Sequence, residues 1–273
     1  MLAVMTNVES PDGELDPEPL MPGHPLRAST IAHGGLTILG PMTAPELDGL
    51  LDAAALPETG RALDIGCGKG DLLVRLAARG LHATGVDRNA AFLREAGGAV
   101  LAAGAADRVQ LVHADAGAFE AAGAPGQRFD VVACVGSSGA LGGPVDAPAR
   151  LAALAKPGGA VLLGEGYWRH EPTLDQLASF GVHPRELVGW DGTLDRMTAC
   201  GMHVEATADA SLAAWDAYEA AYAEALDAWA TVHPQDPQAP ALLAQAHAFR
   251  TTWRAWRRAA MGFVTALLRV PAA

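Results

Sequence analysis

Four acidic residues in this chain, Asp64, Asp87, Asp115 and Glu165, each close a short apolar run, and three glycines, Gly66, Gly68 and Gly70, follow the first of them. A carboxylate at a strand end accepts hydroxyl or amino hydrogens. A glycine there lets the backbone turn sharply beside a ligand. The spacing G-x-G-x-G differs from the dinucleotide fingerprint, which wants its third glycine one place later, where this chain has Asp71. Asp64 adds a negative charge that draws in a cation, which a pyrophosphate cradle would avoid. Asp87 lies 17 residues beyond Gly70, the length a helix and a strand need to return to the same edge. A carboxylate there takes both hydroxyls of a ribose and repels a 2′-phosphate. Asp115 suits an adenine amino group, with Ala116 leaving room for the ring. Each feature has a plainer reading as well: a tight strand-to-helix turn without ligand, a helix-end charge, a loop aspartate.

The elements that must position these residues alternate. Apolar strands are expected at 62–65, 82–86, 109–113, 129–135 and 160–164, with helical patterns between them. Thr43-Ala44-Pro45-Glu46 is a capping box that opens a helix over 44–55, and Asn89 caps the helix after Asp87. Regular alternation gives a parallel sheet joined by right-handed crossovers. Further strands are expected at 203–207 and 263–270, the last running antiparallel between the fifth and sixth. The fold class is therefore α/β, a three-layer arrangement around a mostly parallel seven-stranded sheet, with a helical insertion between strands six and seven. That insertion, 211–260, carries Trp215, Tyr218, Tyr222, Leu226 and Trp229 at three- and four-residue spacing, hence on one helix face. The aromatic stripe reads as a packing face or as a lid over a substrate. Arg250, Arg254, Arg257 and Arg258 read as a solvated face. Residues 1–28, acidic and proline-rich from 9 to 25, are expected to form a mobile arm ahead of the domain at 29–273.

The chain has 273 residues, half of them apolar, enough for a full core. Its formal charge of −12 disfavours a phosphate backbone as partner. There is no basic amphipathic anchor and no charge-free stretch of membrane-spanning length, so neither nucleic acid nor membrane is an expected partner. Three cysteines without metal-ligand spacing read as free thiols of a cytoplasmic protein, and no metal is expected. Oligomeric state is left open.

LDIGCGKG resembles the glycine-rich motif of the class I S-adenosylmethionine (SAM) dependent methyltransferases. The acidic end of the second strand, the aspartate after the third, the core of the fourth and the AKPGG turn before the fifth continue the likeness over about residues 60–165. A closer resemblance is to a largely uncharacterised bacterial subgroup that acts on small molecules, carried by AHGGLTILGPM, by GEGYW where the subgroup has GEPYW, and by Trp215-Asp216-Ala217-Tyr218-Glu219. The resemblance implies SAM as cofactor, S-adenosylhomocysteine (SAH) as product, and methyl transfer by in-line displacement to a nitrogen, sulfur or oxygen of a small molecule. It assigns the cofactor to Asp64, Gly66, Cys67, Gly68, Gly70, Asp87, Arg88, Asp115, Ala116 and Val135. His33, Glu165 and Tyr167 are the catalytic candidates, and Ser137, Ser138, Trp168, Trp215 and Tyr218 those for the substrate. GSSG after the fourth strand departs from the turn of amino-methylating DNA enzymes. It also lacks the acidic pair of aminopropyl transferases, a rival reading on a related fold. A SAM-binding partner protein without turnover is the non-enzyme alternative.

Overall fold

The computed structural model describes residues 5–7, 18–117, 119, 128–180, 183 and 186–272. In chain order the elements are β1 (Met5–Asn7), α1 (Arg27–Ala32), α2 (Ala44–Ala53), β2 (Gly60–Ile65), α3 (Asp71–Ala78), β3 (Leu81–Asp87), α4 (Ala90–Ala102), β4 (Val109–His113) and β5 (Phe129–Val135). Then follow a 3-10 turn, α5 (Ala147–Leu154), β6 (Ala155–Trp168), α6 (Leu174–Phe180), α7 (Trp190–Thr198), β7 (His203–Asp209), α8 (Leu212–Val232), α9 (Ala239–Thr252) and β8 (Met261–Arg269).

One sheet runs in the order β1-β4-β3-β2-β5-β6-β8-β7, and β8 is antiparallel to both neighbours. β2 pairs with β3 on one side and with β5 on the other, so strand order reverses between β2 and β5. A crevice opens at the carboxyl ends of such a pair, because the crossovers leave in opposite directions. The seven expected strands are present, and the last lies antiparallel between the fifth and sixth as expected. An eighth, β1, adds to the β4 edge, pairing Met5 with Leu111.

The alternation of side chains puts apolar residues on both faces of the sheet. Leu50 and Leu51 of α2 and Leu73 and Leu76 of α3 cover Ala62, Val131, Leu162 and Leu267 on one face. Leu151 of α5 covers Leu63, Val132, Val161 and Leu163 on the other. Thr43 and Glu46 form the expected capping box at the start of α2, a contact worth about 1 kcal/mol.

A third cluster joins α1 to α8 and α9 through Ile31, Tyr222, Leu226 and Leu242. It corrects two expectations. The arm is not free along all of 1–28: Arg27, 3 % exposed, pairs with Asp236 and donates to the Leu20 carbonyl at 2.7 Å. Arg257 does not belong to a solvated face. It is 1 % exposed and binds both oxygens of Glu219, at 2.9 and 2.5 Å. Arg258 takes Asp216 in the same bidentate way, and Arg250 takes Asp227. The physical reason is common to all of these. Helix spacing shows which residues share a face, but not that an acidic helix will lie across from the arginines.

Candidate active site

The turn after β2 is pinned to β3, since Gly66 N–H and Cys67 N–H both donate to the Val86 carbonyl, at 2.8 and 3.1 Å. Gly66 has φ +75°, and a Cβ there would lie 2.2 Å from the Ser137 hydroxyl oxygen. Ser137 in turn donates to the Ile65 carbonyl at 2.9 Å. The two strand ends at the reversal point are thus tied together across a glycine that tolerates no side chain. Gly70, at φ +80°, packs with its Cβ position 3.0 Å from Ala96 of α4. Two of the three glycines therefore serve protein packing as directly as ligand approach, and Ser137 holds the turn in place.

The three aspartates arrive at this edge in different states. Asp87 accepts Gly68 N–H at 2.8 Å and Asn89 N–H at 2.7 Å, while burial pushes its carboxyl up. Asn89 caps α4 and donates to Thr30 at 2.8 Å. Asp115 is exposed beside buried Ala116 and accepts Gly117 N–H at 2.9 Å. Asp64 is 4 % exposed and has no hydrogen bond or ion pair among the described residues. Burial, then Asp87 and Asp71, raise its carboxyl to about 7. The Cys67 thiol is pushed up by burial, which leaves it inert.

Two cavities meet here. One, of about 630 Å³, is lined by His33, Val86, Asp87, Arg88, Asp115, Ala116 and Ser137, a size in the usual range for a bound cofactor. The other, about 200 Å³, is lined by residues 37–42, Leu47, Asp64, Lys69, Asp71, Leu72, Trp215, Tyr218 and Phe263. Leu39, Gly66, Gly68, Val135 and Gly136 belong to both. Leu39 reaches over the glycine turn, so that a Cβ on Gly68 would meet its Cδ1 at 2.6 Å.

The segment before α2 is held over the turn by Lys69. Its ammonium donates to the carbonyls of His33 and Gly34, at 2.8 and 3.0 Å, and pairs with Glu95 at 2.8 Å. His33 Nδ1 lies 2.7 Å from the Ser29 carbonyl, and Nε2 lies 3.0 Å from the Tyr218 hydroxyl. Burial lowers His33 from its ordinary value and Lys69 lowers it further, against the Ser29 hydrogen bond.

Glu165, Tyr167, Ser138 and Trp168 are not brought to this site. Along β6 side chains alternate, and Gly164 is the residue that faces Val135 and Phe263, with its Cβ position 2.7 and 3.0 Å from them. Glu165 and Tyr167 project from the opposite face. Tyr167 donates to Asp209 at 2.9 Å and meets Trp190 edge-on, with burial raising its phenol to about 12. Glu165 is buried, raised to about 7 by desolvation, with Ser138 opposing the rise. Trp168 packs near Trp256 and lines a separate cleft with Arg169 and Trp190. The catalytic role expected for Glu165 and Tyr167 is withdrawn on this geometry.

Lys69, Leu39 and Phe263 are site residues that the sequence reading left without a role. Lys69 stood inside the quoted glycine motif, and Leu39 inside AHGGLTILGPM. Phe263 had no signal beyond its place in the last strand. The W-D-x-Y-E run divides by helix face: Trp215 and Tyr218 line the smaller cavity, and Asp216 and Glu219 bind Arg258 and Arg257.

A parallel sheet whose order reverses at a glycine turn, an acidic end on the next strand and one antiparallel strand near the far edge together define a class I methyltransferase. The chain belongs to the SAM-dependent methyltransferases. A methyltransferase domain family matches residues 62–159. The uncharacterized protein YjhP of Escherichia coli is 32 % identical over 216 residues, 77 % of this chain and 84 % of its own. The YjhP crystal structure superposes with a TM-score of 0.83, covering 90 % of this chain and 100 % of that one. A SAM-dependent methyltransferase from Geobacter sulfurreducens, crystallised with SAH, has a TM-score of 0.81 at 28 % identity, covering 89 % and 97 %. A Thiobacillus denitrificans enzyme, also with SAH, gives the same figures.

Proposed function

We propose that this methyltransferase uses SAM to methylate a nitrogen, sulfur or oxygen nucleophile of a small metabolite, as a member of the bacterial small-molecule subgroup that its GEGYW and W-D-x-Y-E runs resemble. The observation that carries the reading is Asp64, a buried carboxylate beside the glycine turn with no cation among the described residues. A buried charge without a partner is costly, and an amino group on a ligand would relieve it.

The residues present fit the cofactor. Asp87 would hold the ribose hydroxyls, with Arg88 beside it. Asp115 and Ala116 would hold the adenine. Asp64 would hold the amino group, and Gly66, Cys67, Gly68 and Val135 would form the wall between. When bound, the sulfonium supplies an electrophilic methyl group and leaves as a neutral thioether, so no group need protonate it. What remains for the chain is to align the acceptor and exclude water. Leu39, Ile38 and Met42 cover the smaller cavity from the segment that Lys69 holds down. Trp215 and Tyr218 wall its other side from α8, which supports the aromatic helices as a lid as well as a packing unit. The acidic surface favours a small acceptor over nucleic acid. Among the described residues no helix is long and apolar enough to cross a membrane, and no cluster of ligating side chains could hold a metal. All three cysteines are free, in keeping with a cytoplasmic setting. Calorimetric titration of the full chain with SAM and with SAH tests the cofactor reading. Absence of binding to either would overturn it. A metabolite screen with labelled methyl donor then tests the acceptor class, and incorporation only into nucleic acid would defeat that part.

A further inference from the structure

The smaller cavity is the acceptor side if the cofactor reading above holds, and its chemistry restricts what can enter. Three charged groups line it. Lys69 is neutralised by Glu95 at 2.8 Å and by two carbonyls. Asp71 is gripped by Arg75 through both oxygens, at 2.7 and 3.2 Å. Asp64 is the group the cofactor would neutralise. Most of the rest of the wall is apolar, with Ile38, Met42, Leu72, Val135, Phe263 and the ring of Trp215. A charged acceptor would lose its hydration there and gain no counter-charge.

Apart from exposed Thr37, the neutral polar groups of this wall are the Trp215 indole N–H, buried without a partner and able only to donate, and the Tyr218 hydroxyl, which can also accept and whose orientation is set from behind. The Ser29 carbonyl can only accept, so the His33 nitrogen 2.7 Å from it, Nδ1, carries the hydrogen. Neutral His33 then has a lone pair on Nε2, and Tyr218 donates its hydrogen to it across 3.0 Å. The lone pairs of the Tyr218 oxygen are left for another donor.

We infer that the acceptor is a compact, uncharged, mainly apolar molecule that carries its nucleophile as an X–H group, a hydroxyl, thiol or secondary amine, donated to the Tyr218 oxygen. Tyr218 is the catalytic residue in this reading and His33 is its positioning residue. As the nucleophile's lone pair forms its bond to the methyl carbon, the electron pair of the broken carbon–sulfur bond stays on sulfur. The X–H proton passes to Tyr218, and Tyr218 hands its own to His33 Nε2. One proton is lost by the acceptor and one is gained by the imidazole.

The test is binding, and needs no turnover. The full chain loaded with SAH is titrated with 4-methylphenol, with its methyl ether, and with 4-methylbenzylammonium and 4-methylbenzoate. 4-Methylphenol should bind best, and the ether should bind about five- to tenfold more weakly, the worth of one neutral hydrogen bond. In Tyr218→Phe the ratio of phenol to ether should fall to about one while SAH still binds. Around His33 stand Lys69 with its partner Glu95, Tyr218 and Tyr222, with Asp87 and Arg88 lining the same cleft. Protonated His33 would donate to Tyr218 and turn the phenolic hydrogen outward. The preference for phenol over ether should therefore shrink as pH falls through the His33 value, which lies below 6.5, and stay flat in His33→Gln. SAH binding without 4-methylphenol binding overturns the inference, as does an ion that binds more tightly, or a phenol preference untouched in Tyr218→Phe. Failure to bind SAH at all overturns the cofactor reading, and this inference with it.

Discussion

The two cavities are built by different means. The larger one is made at strand ends: Asp87, Ala114, Asp115 and the glycine turn are placed by backbone pairing within one contiguous parallel unit. The smaller one is closed by side chains from α8, from β8 and from the segment before α2, parts of the chain up to 226 residues apart, from Thr37 to Phe263. Strand pairing leaves little freedom in the first, the cavity proposed above for the cofactor. The second depends on how helices pack over the sheet, so its shape can change while the cofactor stays the same. Variants of the packed helices should therefore disturb stability and acceptor binding, and variants at the strand ends should disturb cofactor binding.

The largest effect is expected in the helical region. Arg257→Met leaves Glu219 buried and unpaired, which should lower stability by about 3–5 kcal/mol in urea unfolding. Replacing both partners with methionine should recover most of that loss, because an apolar pair carries no desolvation cost. If the single variant were as stable as the parent, the helices would be held by their aromatic packing alone, through Trp215 on Trp253 and Tyr222 on Phe249.

At the strand ends the expected effect is on affinity. Asp87→Ala removes the carboxylate that would take the ribose and also the acceptor for Gly68 N–H. Hydrogen bonds to a charged group are worth about 1.5–3 kcal/mol each, so SAH affinity should fall about 100-fold or more with the fold intact. Unchanged affinity in a folded variant would break the comparison at its firmer side.

Asp64 connects the regions through pH. Its folded value of about 7 lies above that of an unfolded aspartate, so the folded chain binds the extra proton. Stability from this group is present at low pH and declines as pH rises from the unfolded value toward 7. A cationic group on the cofactor reverses the preference and favours the carboxylate. SAH should therefore bind more tightly as pH rises to about 7 and level off above it, releasing a proton that calorimetry in buffers of different ionisation heat will count. In Asp64→Asn the proton release should vanish and the affinity should be lower and flatter with pH.

How much of this was legible follows the same division. LDIGCGKG, the spacing to Asp87 and the apolar run before Asp115 are local signals, and the strands they end in pair as expected. The parallel sheet followed from alternation, and the antiparallel last strand lies between the fifth and sixth as expected. Ser137 was named for the substrate and proves to tie the glycine turn to β5, because only the fold shows that Gly66 lies against it. Arg27 and Arg257 were unreadable for a different reason. Their partners, Asp236 and Glu219, are distant in sequence, and a charged residue on a helix reads as exposed until a second helix covers it. Trp215 and Tyr218 were found because aromatic residues at helix spacing are conspicuous. That their two acidic neighbours face the arginines was not.

The smallest effect expected is at Glu165, and its value lies in being near zero. One residue along β6 separates it from Gly164, which faces Val135 and Phe263, two residues of the smaller cavity's wall. That single step turns Glu165 to the far face, where it is buried and its Oε1 has no hydrogen-bond partner. Its value of about 7 lies above that of an unfolded glutamate, so stability from this group declines as pH rises from the unfolded value toward 7 and levels off above it. Glu165→Gln keeps the volume and removes that cost. Turnover and SAH binding should be unchanged, and the stability gain over the parent should be absent below the ordinary glutamate value, grow as pH rises toward 7 and stay level above it. A loss of turnover with SAH binding intact would return Glu165 to the chemistry, and would mean that the acceptor reaches through the sheet edge to the face that Gly164 turns away from.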